Sequence, residues 1–112
     1  MGLSINGKSV LVEYQKGSDV ASANDITLGS GNYFDITGTT EVQRILGAGW
    51  SIGSIVVLQF DASVQVTNGV AAGSGYFGFK LSGAGNLSAT ADDTLMLVFD
   101  GAWWREVSRT II

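Results

Sequence analysis

The sequence predicts an all-β fold, a small antiparallel β-sandwich or barrel, on three observations. Sixteen glycines and no proline among 112 residues, with 46% hydrophobic and only 14% charged residues, indicate an ordered chain with many tight turns rather than a linker. The apolar residues fall in short runs rich in β-branched and aromatic side chains, spaced closely and separated by glycine. Finally, the stretch from Asp92 to Arg109 reads as a hairpin: Leu95 to Phe99 is one apolar strand, Asp100-Gly101 a two-residue type I′ turn, and Ala102 to Ser108 the returning strand. This turn sets Leu97 opposite Trp104, Val98 opposite Trp103 and Met96 opposite Arg105, leaving both faces apolar. One face then packs on its own sheet and the other on something else, such as another copy of the chain.

In chain order, Leu3 to Ile5, Asn6-Gly7 and Lys8 to Tyr14 form a first hairpin around a type I′ turn. An isolated hairpin is marginal in water, so this one is expected to dock. The small polar stretch from Gly17 to Asn24 reads as a loop or hinge, dividing the chain into an N-terminal arm or small hairpin, 1–23, and a β-rich domain, 24–112. Ile26 to Leu28 is a short strand. Tyr33 to Thr37 is half-buried, with Phe34 and Ile36 facing inward. Glu41 to Leu46 fits a helix face or a strand, and Thr39, Thr40 and Val42 favour the strand. Ser54 to Phe60 is too short for a globular helix, and its β-branched centre marks a central strand. Val64 to Thr67 closes at Asn68-Gly69. Tyr76 to Leu81 places Phe77, Phe79 and Leu81 on one face, and Gly83 to Asn86 turns the chain towards the last hairpin.

Composition excludes several functions. One hundred and twelve residues make one domain burying roughly two-thirds of its unfolded surface. The chain has no cysteine and no histidine, which removes disulfides, thiolate metal sites and the commonest general base. The net charge is −4, with the basic residues Lys8, Lys16, Arg44, Lys80, Arg105 and Arg109 scattered along the chain. Nothing forms the basic stripe a phosphate backbone demands, so nucleic acid is not an expected partner. No apolar run is long enough to cross a bilayer as a helix, no secretory signal opens the chain, and Asn6 breaks the myristoylation pattern, so a membrane is not expected either.

The motifs that carry chemistry elsewhere lack their context. Gly73-Ser74-Gly75-Tyr76-Phe77-Gly78 matches Gly-x-Gly-x-x-Gly but opens a strand instead of the helix that would meet a pyrophosphate. Asp92 and Asp93 with Asp61 or Asp100 lack EF-hand spacing and read as turn residues. No pair among Asp35, Asp61, Glu41 and Glu106 is singled out for glycoside cleavage, and Glu106 reads as an ion-pair partner of Arg105 or Arg109. Asn86-Leu87-Ser88 is a sequon without a secretory context. Trp50, Tyr33 and Tyr76, if exposed, can stack on sugar rings. No catalytic residue, cofactor or metal ligand is expected.

The ordered set Tyr33-Phe34-Asp35-Ile36-Thr37-Gly38-Thr39-Thr40, Trp50 to Gly53, Val56 to Phe60, Val64 to Asn68, Lys80 to Asn86, Ala91 to Thr94 and Phe99 to Ser108 resembles a β-rich domain recurrent in tailed-bacteriophage tail fibres, minor virion proteins and capsid decoration proteins. It spans about residues 24–109. The chain departs from the family's pattern in having Asp92-Asp93 where Gly-Asp is frequent, and in lacking a long shaft. The resemblance implies a non-enzymatic, homotrimeric component of the virion, made in the host cytoplasm. Its first role is capsid decoration, with the phage major capsid protein as partner and Leu3, Ile5, Val10, Val12 and Tyr14 of the arm gripping the shell. The alternative is a tail or head fibre tip binding host surface glycans. Met96, Val98, Trp103 and Trp104 are candidates for the subunit interface, and the aromatics fit a monomer's core equally well. Outside virions, the reading is a small hydrolase or lectin domain; absent histidine argues against the hydrolase, and a failed glycan screen would remove the lectin.

Overall fold

Alternation of inward apolar and outward residues carries most of this molecule, as in Tyr33–Thr37, where Phe34 and Ile36 are fully buried between half-buried neighbours. The computed structural model describes residues 15–112 and, nearer the N-terminus, the strands Ser4–Ile5 (β1) and Lys8–Ser9 (β2). These two pair antiparallel, Ser4 opposite Ser9 and Ile5 opposite Lys8, while the turn expected at Asn6-Gly7 lies outside the described residues. The arm residues Leu3, Val10, Val12 and Tyr14, and the side chain of Ile5, lie outside the described residues.

The other strands are β3 (Val20–Ala21), β4 (Asp25–Ile26), β5 (Tyr33–Thr37), β6 (Arg44–Leu46), β7 (Ile55–Phe60), β8 (Val64–Val66), β9 (Tyr76–Lys80), β10 (Leu87–Ala89), β11 (Thr94–Phe99) and β12 (Trp104–Thr110). No α-helix occurs among the described residues, and Ser82–Ala84 forms one 3-10 turn. Eight strands make one sheet in the order β3-β5-β7-β11-β12-β9-β6-β4. Its two end strands, β3 and β4, are consecutive in the chain and separated only by residues 22–24. That short link draws the ends together and curls the sheet into an almost closed barrel. Inside it lie Phe34, Ile36, Ile45, Val56, Leu58, Phe60, Phe79, Leu95, Leu97 and Trp104, each fully buried. A second sheet of β8 and β10 contributes Val64, Val66, Leu87 and Ala89 to the same core.

The fold is all-β and barrel-like as expected, but it is not antiparallel throughout. β3 with β5, β5 with β7, β12 with β9 and β4 with β6 run parallel. Parallel neighbours cannot be joined by tight hairpins, and β6 and the loops around it serve as the crossover between β5 and β7. The stretch read as a hinge also differs. Lys16 bridges to Tyr33, Gly17 N–H donates to Tyr33 O at 2.8 Å, and β3 pairs with β5. Residues 16–23 therefore belong to the barrel rather than to an arm, and a boundary at 23/24 falls inside the sheet. Short polar runs hide such strands, because a two-residue edge shows no periodicity.

The final hairpin forms with its turn displaced by one residue. Phe99 opposes Trp104, Val98 opposes Arg105 and Leu97 opposes Glu106, so Gly101-Ala102, not Asp100-Gly101, is the two-residue turn. Asp100 decides this: its Oδ1 accepts from Ala102 N–H at 2.8 Å and Trp103 N–H at 2.6 Å, an Asx turn that makes Asp100 the residue before the turn. Gly101, at φ +92°, then fills the first central position. Moving a turn by one residue shifts the pairing by two, which keeps every side chain on its original face. Beyond Glu106, Met96 opposes Ser108, leaving Val107 as the extra residue of a β-bulge.

Candidate functional site

The outward side chains of β5, β7 and β11, with those of β12 beside them, form an apolar patch on the barrel. Register places them in rows. Tyr33, Val57, Met96 and Ser108 lie side by side, as do Ile55, Val98, Arg105 and Lys80. A third row holds Asp35, Gln59, Thr94 and Thr110. Ile55 is 46% exposed, while Tyr33, Val57, Met96 and Val98 are half-buried by their sheet neighbours. Ile52, 77% exposed, extends the apolar region towards the hairpin turn beside Gly101.

The four candidate interface residues separate. Met96 and Val98 stand on this outer face. Trp104 points inward and has no exposed surface. Its indole stacks on Phe99 at 4.6 Å, meets Trp50 edge-on at 6.0 Å, and donates Nε1–H to Ile45 O at 3.3 Å. Trp104 is thus a core residue of a single chain, the place the alternation of β12 dictates. Trp103, in the turn, lies over β9 with the Lys80 ammonium 3.9 Å from its ring centroid. A Cβ on Gly78 would run into the Val70 carbonyl and come within 3.1 Å of the Trp103 ring, so Gly78 is what lets this ring and the loop from Val70 lie flat on β9.

The outer face is bounded by charge. On one corner Lys80 and Arg105 stand beside each other, with Arg105 Nε paired to Asp100. On the opposite corner Asp35 and Asp19 share Lys16, at 3.2 and 3.3 Å, and Asp92 accepts from Gln59 Nε2 at 3.4 Å. The hydrogen bond with Asp35 holds the Lys16 ammonium above its ordinary pKa. Sequence reading found Met96 and Val98 but missed Ile55 and Val57, whose signal was available: they alternate with Val56 and Leu58 in the same apolar run.

The remaining candidates take structural roles. Asp93 is fully buried; its carboxylate accepts from Ile112 N–H at 2.9 Å, Thr90 N–H at 2.8 Å and Thr90 Oγ1 at 3.2 Å, and these donors hold its pKa below the ordinary value. Glu106, its side chain only 6% exposed, binds Arg109 at 2.6 and 2.8 Å and Ser82 N–H at 2.7 Å; the guanidinium chiefly lowers its pKa. Glu41 accepts from Thr67 Oγ1, and Arg44 grips Asp25 through two bonds of 2.8 Å. Among the described residues, no group of three or more acidic side chains is placed to hold a metal ion. In Gly73-x-Gly75-x-x-Gly78, Gly73 abuts Arg44, Gly75 turns the chain at φ +82°, and Gly78 seats Val70 and Trp103, so each glycine has a structural reason. Trp50 lines a shallow cleft with Leu28, Gly29 to Gly31, Ala48 and Gly49, its ring meeting Phe34 edge-on at 6.5 Å. No helix among the described residues is long and apolar enough to cross a membrane. No protein-family model, curated protein or solved structure matches the chain.

Proposed function

We propose that this chain is a non-enzymatic structural protein of a bacteriophage virion, a capsid decoration protein that binds and stabilises the shell as a homotrimer. The resemblance of residues 24–109 to the virion domain motivates the reading, and the observation that carries it is the apolar outer face of Tyr33, Ile55, Val57, Met96 and Val98 on a barrel whose core is already complete. Surface of this kind, apolar at its centre and charged at its margins, has the anatomy of a protein–protein contact. The arm ahead of Gln15, with Leu3, Ile5, Val10, Val12 and Tyr14, is the part that grips the major capsid protein.

Light scattering on the full chain is expected to give the mass of three chains; a monomer at micromolar concentration sinks the trimer. Co-sedimentation with shells of the cognate major capsid protein is expected for the full chain and lost on deleting residues 1–14. Retained binding would remove the arm from the contact. The second reading, a tail or head fibre tip for host glycans, is favoured by Trp50 in its cleft with Leu28 and Gly29 to Gly31. A glycan array with Trp50→Ala as control tests it, and no binding by the full chain dismisses it.

A further inference from the structure

The outer face is polar in a directional sense as well as apolar at its centre. Arg105 and Lys80 neighbour Val98 on the β12 and β9 side, while Asp35, Asp19 and Asp92 lie towards β5 and the far end of β7. Between them run Ile55, Val57, Met96 and Val98. Sheet edges offer little for association by strand addition. β3 and β4 are brought together by the closing link, and the part of β12 beyond its pairing with β9 carries the Val107 bulge and the Glu106–Arg109 ion pair, both of which blunt an edge. The outer face is the remaining route.

We propose that this face docks a second copy of the chain, with the Lys80/Arg105 corner of one copy meeting the Asp35/Asp92 corner of the next and the apolar strips packed between them. Each corner keeps a net charge after its internal pairing, positive for Lys80 and Arg105 with Asp100 and negative for Asp35, Asp19 and Asp92 with Lys16, so like corners repel beside an apolar contact whereas unlike corners attract and fix the register of docking. With the faces staggered, so that the Lys80/Arg105 side of one copy covers only the Asp35/Asp92 side of the next, the contact joins two different patches and makes a ring where the rotation between copies closes, whereas full face-on packing would pair two copies about a two-fold axis. The inference rests on the self-assembly reading above and names its contact surface.

The test uses the full chain, with light scattering for mass and circular dichroism for folding. Met96→Lys, an outward substitution, is expected to give a folded monomer. Lys80→Glu and Asp35→Lys are each expected to raise the dissociation constant about tenfold, and the double variant, which exchanges the two corners' charges, to recover most of that loss. An oligomer that Met96→Lys leaves intact overturns this surface while leaving the self-assembly reading standing; a wild-type monomer overturns both. Additive weakening in the double variant overturns the pairing of unlike corners. If Met96→Lys is unfolded, Val57→Lys on the same row answers the same question with the same outcomes.

Discussion

At the scale of single residues, the adjacent tryptophans have opposite environments and should have opposite mutational costs. Trp104 fills the barrel centre against Phe99 and Trp50. Trp104→Ala is expected to cost about 3–5 kcal/mol in a denaturant titration, the range for emptying a large aromatic site. Trp103→Ala gives up only a half-buried ring and a cation–π contact, about 1 kcal/mol. If the two costs are equal, the inward assignment of Trp104 is wrong. Carboxylates held by hydrogen bonds set the pH response. Asp93, Asp100 and Glu106 all titrate below their ordinary values in the fold, through the Ile112 amide, the Ala102 amide and Arg109 respectively. A lowered folded pKa means stabilisation that is complete above the unfolded value, 3.8 for Asp93, and lost as the pH falls through the folded one. The melting temperature should therefore fall steeply on acidification below about pH 4. Asp93→Asn should melt lower at pH 7 and show a shallower acid loss; an unchanged acid slope would take Asp93 out of that response.

Among elements, the last hairpin shows how local chemistry chooses between neighbouring registers. Asp100-Gly101 has the composition of a type I′ turn, yet the Asp100 carboxylate satisfies the Ala102 and Trp103 amides only from one residue further out. The inward and outward sets were legible regardless, since the displacement is even. β9 depends on a glycine for a different reason. Gly78→Val forces the Val70 loop and the Trp103 ring off the strand, an overpacking cost of about 1–3 kcal/mol. The same variant should lose the protection of the Trp103 indole from solvent quenchers; an unaltered quenching profile would show that the ring does not lie on β9.

On the scale of the whole molecule, closure is the organising event. β3 sits at one end of the sheet and β4 at the other, and Ser22 and Asn24 between them fasten the link: Ser22 Oγ accepts from Thr40 N–H at 2.9 Å, and Asn24 O accepts from Gln43 and Arg44 N–H at 2.8 and 3.0 Å. Deleting residues 1–14 is expected to leave the melting transition of the barrel intact, whereas deleting 1–23 strips β3 from β5, opens the barrel and gives an aggregating chain. Equal melting of the two truncations would show that β3 does not contribute to closure. The sequence by itself determined the all-β class, strands at Tyr33 to Thr37, Ser54 to Phe60 and Leu95 to Phe99, and the alternation of faces along each, because alternation is a local property with a period of two. Only the tertiary structure decided that four of the seven neighbouring pairs in the main sheet run parallel, that the supposed hinge holds an edge strand, and that Ile55 and Val57 join Met96 and Val98 on one outer surface. Those are pairings between residues distant in the chain, and local periodicity carries no information about which strand lies beside which.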